Sequence, residues 1–357
     1  MKLPHSITTL CTAFFLAVSL HAAAAADAKP KVWIYTDMSD GTLKGSTHMG
    51  TVNDPDDISA MAGYLLMANE FETLGIVVAS KHRKEHRDTP DQGAWANRFI
   101  GDAYRAEVAA LNRSIGGYPL DIRFTRSCIK ASGERYDAAK TYADLARYPT
   151  VGALLDVAAQ QPDGAPINVL CWGSLTEPAI LVNHCRATKR LDVLKKLRFI
   201  AHWTDSALHQ GSPEHPEHVA NCREDAAACA YMKMCARDGV IRYYESGAIG
   251  QHGIVSGGPK GAEYFNQFKS SRLGKIFAEG KFVQKGVDHS DSATYWVLLG
   301  NWGAGLGDIA GDGTNPPAVE RTNEKKFRES SKRIHDELLR RAKAAGDRVE
   351  IKSPTQP

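Results

Sequence analysis

Val32-Trp33-Ile34-Tyr35-Thr36-Asp37, followed after a loop by Asn53-Asp54-Pro55-Asp56-Asp57, is the stretch whose reading decides the fold. The first run is short, apolar and β-branched or aromatic, so it reads as a buried strand that ends on a carboxylate. Beyond the second run, Ile58, Met61, Ala62, Leu65 and Leu66 recur at the spacing that lays one stripe of a helix on a core. A second strand over residues 74–79 follows. This β-loop-α-β order requires a parallel pair, and ligands of parallel sheets bind in the crevice beyond the carboxyl ends of the strands. Asp37, Asp56 and Asp57 are all expected there.

Three acids in one small volume repel one another and raise at least one pKa unless a cation lies between them. A divalent metal is the economical explanation. A second reading competes with it. Asp54 is a good N-cap, Pro55 suits the first helical position, and Asp56 and Asp57 favour the positive end of the helix dipole. Asp37 tips the balance toward a metal, because a carboxylate at the tip of the neighbouring strand has no capping role.

Further strands are expected over residues 167–172 and 197–202. Helices are expected over 177–185, 224–237 and 292–299, with a charged amphipathic helix over about 324–345. The alternation predicts an α/β fold, with a mostly parallel central sheet flanked by helices. The N-terminus, with Lys2, an apolar stretch over 10–20 and an alanine-rich end, reads as a secretory signal over residues 1–26. Residues 27–357 then form one domain, exported to the periplasm or beyond, with a short disordered tail over 352–357. A net charge of +3 is nearly balanced for 357 residues, so neither nucleic acid nor membrane is an expected partner. The charged run 81–87 reads as a solvated loop.

Cys11 leaves with the signal, and Cys128, Cys171, Cys185, Cys222, Cys229 and Cys235 remain. An even number in an oxidising compartment permits disulfides, whose pairing the sequence leaves open. Cys222, Cys229 and Cys235 crowd one segment without the tight spacing of zinc ligands, which favours a bridge or a buried thiol.

Three more constellations sit where a sheet-end site would be. Gly173-Ser174-Leu175-Thr176-Glu177-Pro178 lies between a strand and a helix. There Thr176 either caps the helix or lends a backbone carbonyl to a metal. Asp288-His289-Ser290-Asp291 precedes a helix, and Asp291 reads equally as a first-turn acid and as a metal ligand. Asn221 and Asp225 precede an alanine-rich helix, behind a loop that carries His209, His215 and His218 among Pro213 and Pro216.

Taken together, these residues resemble the inosine-uridine nucleoside hydrolase superfamily, and more closely its exported nucleoside-hydrolase-like relatives. Thr36-Asp37, the acidic run through Asp57, Gly173 to Thr176, the Asn221 segment and Asp291 follow the family's order. The resemblance implies a Ca²⁺ ion held by Asp37, Asp57, Asp291 and the Thr176 carbonyl, with Asp56 as general base. Attack by an activated water at an anomeric carbon then passes through an oxocarbenium-like state. Asn221, His289 and Lys81 are taken as substrate-binding. The chain departs from the family in residues 38–52, which look inserted. It also has Ser80 and Lys81 where an Asn is usual, Val219 in place of a Glu, and Ser290 in place of a His.

The expected activity is therefore calcium-dependent hydrolysis of an N-ribosyl or related glycosidic bond, with a small nucleoside or sugar conjugate as partner. Homo-oligomerisation stays open. One alternative is a non-catalytic carbohydrate- or nucleoside-binding protein, with Trp172, Trp203, Trp296 or Trp302 stacking on the ligand. The other, ranked last, is a metal-dependent phosphoesterase using His202, His209 and His289.

Overall fold

A computed structural model of the chain describes residues 28–45, 54–82, 90–129 and 134–347. The expected signal (1–26), the tail (352–357), Asn53 and parts of the 38–52 and 81–87 segments lie outside these.

The apolar runs form a six-stranded sheet. Its strands are β1 (Lys31–Tyr35), β2 (Glu72–Val78), β3 (Phe124–Arg126), β4 (Ile167–Cys171), β5 (Leu197–Ala201) and β6 (Arg242–Glu245). All five pairings are parallel, in the order β3-β2-β1-β4-β5-β6. β1 and β4 are each buried along nearly their whole length, as strands covered on both faces must be. The order reverses direction between β1 and β4, and that switch point is where open parallel sheets leave a crevice.

Helices cover both faces. Helix α1 (Pro55–Leu66) joins the core on one face with α2 (Asp102–Ser114), α6 (Arg272–Ala278), α7 (Ala293–Leu299) and the long α8 (Pro317–Gly346). Helices α3 (Pro149–Ala159), α4 (Thr176–Ala187) and α5 (Ala226–Arg237) bury their apolar stripes on the other. A two-residue hairpin, β7 (Phe282–Val283) with β8 (Gly286–Val287), follows α6. Among the described residues, no helix is long and apolar enough to cross a membrane.

The expected elements recur with small shifts, and two are corrected. The helix expected over 224–237 is split, because Asp225 leaves helical geometry and caps α5 by accepting from the Ala228 N–H. A short helical turn, Ala220–Glu224, precedes the split. α8 begins well before 324, with Pro317 in its first turn. Cys222 and Cys229 form a disulfide that ties the Ala220–Glu224 turn to α5, whereas Cys235 is a buried thiol.

Candidate active site at the sheet switch point

The hydrogen-bond ladder of β1 runs past its last residue. Thr36 N–H donates to the Val77 carbonyl at 2.9 Å, and the Thr36 carbonyl accepts from Ser80 N–H at 2.9 Å. The extension carries Asp37 into the switch-point crevice, where it is 1% exposed. One Asp37 oxygen, Oδ1, has no hydrogen-bond partner among the described residues, and the other lies 2.5 Å from Lys81 Nζ. Gly173, after β4, presses against this side chain. A Cβ there would stand 2.9 Å from Asp37 Cβ, so the turn is confined to glycine.

Helix α1 brings the acidic pair to the same place. Asp54 occupies the N-cap position, but its side chain makes no capping bond. It lies instead 3.4 Å from Lys81 Nζ and 4.0 Å from Lys281 Nζ. Asp57 accepts from the Thr36 hydroxyl, which ties the helix start to the end of β1. From the far part of the chain, Ser290–Ser292 contributes Asp291, which is 2% exposed.

Asp56, Asp57 and Asp291 each offer an oxygen within 4.8 Å of the others. All three carboxyls titrate well above the ordinary carboxylate range, first because they are buried and then because they face one another and Asp37, Asp54 and Asp288. Lys281 answers part of that charge. Its ammonium lies 3.0 Å from Asp56 and 3.4 Å from Asp288.

The acids line a cavity of about 210 Å³ together with Trp172, His202, Trp203, Gln210, Asn221 and Lys281. His202 follows β5. Its Nε2 lies 3.7 Å from Asp291 and its Nδ1 has no hydrogen-bond partner among the described residues. Burial, and then the nearby Lys281 charge, push this imidazole down to about 3, so it stays neutral. Trp203, beside it, has a φ of 49°, a left-handed conformation that a bulky residue adopts only when its surroundings enforce it.

The structure thus brings together Asp37, Asp56, Asp57, Asp291, Lys81 and Asn221. The solvated reading of Lys81 is corrected, because its side chain is 4% exposed and sits among carboxylates. Asn221 lines the cavity, but its amide nitrogen donates to the Trp172 and His202 carbonyls at 3.2 and 2.9 Å, which joins the ends of β4 and β5.

One expectation, His289 as a substrate contact, fails on geometry. Thr176 opens α4, and its hydroxyl bonds Asp225, Ser174 and His82 at 2.6 to 2.7 Å; these bonds concern the hydroxyl and not the carbonyl expected to hold the metal. His289 is fully buried in the core, with its ring on Ser292 and His335 at 3.0 and 3.1 Å and against Phe277. Of the tryptophans, Trp296 is buried and Trp302 holds Arg333 on its face, and neither lines the cavity.

Sequence reading missed Lys281 and placed His202 and Trp203 only in the alternative readings. The signal for those two was their place immediately after a buried strand. Lys281 carries no local signal, because only the packing of its hairpin brings it to α1.

Comparison with known proteins places this geometry among relatives. Residues 47–224 match a family described as cellulose-binding Sde182, nucleoside hydrolase-like domain. A solved nucleoside hydrolase-related hypothetical protein from Saccharophagus degradans, associated with carbohydrate metabolism, shares the fold. It has 16% identity and a TM-score of 0.56, over 90% of this chain and 72% of that one. More distant matches are the type III effector protein XopQ complexed with adenosine diphosphate ribose and an inosine-guanosine nucleoside hydrolase. Each has 12% identity, a TM-score of 0.44 and 99% of its own length covered, over 95% and 90% of this chain respectively. No curated protein matches the chain in sequence.

Proposed function

We propose, for a chain that belongs to the nucleoside-hydrolase-like superfamily, that the switch-point cavity hydrolyses an N-ribosyl or related glycosidic bond with the help of a calcium ion. The observation that carries this reading is the convergence of Asp37, Asp56, Asp57 and Asp291, from three separate parts of the chain, on one cavity beside an unpartnered Asp37 oxygen.

The donor set suits a hard divalent cation. It is all oxygen and crowded with negative charge, and oxygens of Asp57 and Asp291 lie within 4.8 Å of each other and of one from Asp56. Asp37, Asp57 and Asp291 would hold the ion. When bound, it supplies Lewis acidity and a fixed orientation for a vicinal diol. The Thr176 carbonyl, after β4, would complete the set.

Asp56 has the role of base. Lys281 and the start of α1 fix its carboxylate at the cavity edge, where it takes a proton from an attacking water. The water oxygen bonds to the anomeric carbon as the bond to the leaving group breaks. The leaving group takes up one proton from solvent and Asp56 returns the proton it took to solvent, so the step balances and the carboxylate is restored. Surrounding carboxylates favour the positive charge that develops on the sugar.

A cavity of about 210 Å³ is of a size for a sugar ring. The protein works after export of residues 27–357 as one domain, and the Cys222–Cys229 disulfide is of a kind that oxidising compartments preserve.

The test is incubation of the mature chain with calcium and a panel of nucleosides and sugar conjugates, with Asp56→Asn as control. Release of base or reducing sugar is expected from the wild type. The variant is expected to lose turnover by about 10²-fold or more while calcium binding persists. Turnover that survives in Asp56→Asn removes Asp56 as the base.

A second reading, a non-catalytic carbohydrate- or nucleoside-binding protein using the same cavity, is favoured by the lysines that already pair with Asp37 and Asp56. Saturable binding without product release would select it.

A further inference from the structure

We infer that His215, Glu217 and His218 form a second metal site, for a divalent transition metal of the zinc class, on the loop that leads into the candidate active site. The geometry is local and already assembled. His215 Nδ1 lies 3.3 Å and His218 Nε2 3.7 Å from the same Glu217 oxygen, and all three ligand atoms fall within 4.8 Å of one another. The two imidazoles are stacked almost parallel, with centroids 4.6 Å apart and planes 9° from each other.

The backbone holds this arrangement. Ser212 and His215 exchange N–H to carbonyl bonds at 3.2 Å, and the His218 N–H reaches the His215 carbonyl at 3.1 Å. The Ser206 N–H bonds the Pro216 carbonyl at 2.8 Å, closing the base of the loop. Gly211 packs so tightly here that a Cβ would meet the Ser206 carbonyl at 2.5 Å.

Donor chemistry separates this cluster from the acidic one. Two imidazole nitrogens and one carboxylate suit zinc, copper or nickel, whereas the oxygen-only cluster suits calcium or magnesium. Three protein ligands also leave a coordination position open, the pattern of sites that bind a further ligand.

A second observation gives its surroundings. Glu217 and His218 line a separate cavity of about 490 Å³, whose wall includes Arg223, Arg237 and Lys233, the last paired with Asp205. A metal here adjoins that pocket. It also stiffens a loop that carries Gln210 and ends at Asn221, both of which line the acidic cavity.

The experiment titrates the tag-free mature chain with zinc chloride in the presence of excess calcium, which occupies the oxygen donors. Binding is followed by calorimetry and by metal analysis after gel filtration. The wild type is expected to bind one equivalent of zinc. His215→Ala/His218→Ala is expected to lose it, and Glu217→Gln to bind more weakly. His215 and His218 are exposed, so far-UV circular dichroism of the variants should match the wild type.

Copper(II) adds a spectroscopic readout: nitrogen hyperfine structure from two imidazoles, absent in the double variant. No zinc bound by the wild type, or an equivalent retained by the double variant, overturns the assignment. The result is independent of whether the acidic cavity turns over a glycoside.

Discussion

Glu245 ends β6 with its carboxyl wholly inside the protein. The Thr204 hydroxyl and the Gly247 N–H, the latter at 2.9 Å, donate to it. Burial raises its pKa from the ordinary 4.5 to about 8, and the Lys233 ammonium opposes the rise. In that window the folded protein keeps a proton that the unfolded chain has lost. This contribution to stability is therefore complete below about pH 4.5 and is lost as pH rises toward 8, by roughly 4 kcal/mol. Denaturant unfolding from pH 5 to 8 should show the decline, and Glu245→Gln should make it shallower, the raised carboxyls of Asp56, Asp57 and Asp291 carrying the rest. An unchanged slope in the variant would mean that another group carries the effect.

Site residues differ in how readable they are for similar physical reasons. Asp37, Asp56, Asp57 and Asp291 are legible because each is a carboxylate next to a strand end or helix start, where an unpaired acid needs an explanation. His289 misleads because adjacency to Asp291 says nothing about the direction of its ring. That ring turns into the core toward His335, while His202 from β5 approaches Asp291 instead.

At the scale of elements, β1, β2, β4 and β5 were readable to within about two residues, because buried parallel strands are apolar throughout. β3 and β6 were not. They are edge strands of three and four residues, and both carry arginine. The turn holding Asp291 depends on a neighbour that no local pattern announces.

Gly250 begins the helical turn Gly250–Val255, and a Cβ there would stand 1.9 Å from the Ser290 carbonyl. Gly250→Ala should therefore displace Ser290–Ser292, cost about 2 kcal/mol or more and weaken calcium binding through Asp291. Gly152 within α3 has nothing within 4 Å of the same added atom, so Gly152→Ala should stabilise the protein by about 0.5 to 1 kcal/mol. Thermal melts of the two variants, with and without calcium, separate a packing effect from a general intolerance of substitution. Equal melting temperatures would refute the packing argument.

For the whole molecule, α8 closes the structure by reaching back to the first third of the chain. Arg341, with only 5% of its side chain exposed, donates to the Leu66 carbonyl at 3.3 Å and the Tyr118 hydroxyl at 2.8 Å, and pairs with Glu70 and Glu337 at 2.6 and 2.7 Å. Arg341→Met leaves Glu70 and the Tyr118 hydroxyl without this donor, while Tyr118 still donates to the Leu66 carbonyl and Arg340 still pairs with Glu337. It should cost about 3 kcal/mol, read as a lower denaturant midpoint, whereas Arg340→Met at the exposed neighbouring position should change it little. A midpoint unmoved by Arg341→Met would show that apolar packing alone holds α8.

By itself the sequence determined the alternation of strands and helices, the parallel sheet and the gathering of carboxylates at its carboxyl end, because periodicity and strand-end position are local properties of the chain. Only the tertiary structure decided which partners meet those carboxylates. Lys281, His202 and Trp203 enter the cavity through side-chain direction and packing between segments far apart in sequence, and His289 is turned away from it for the same reason.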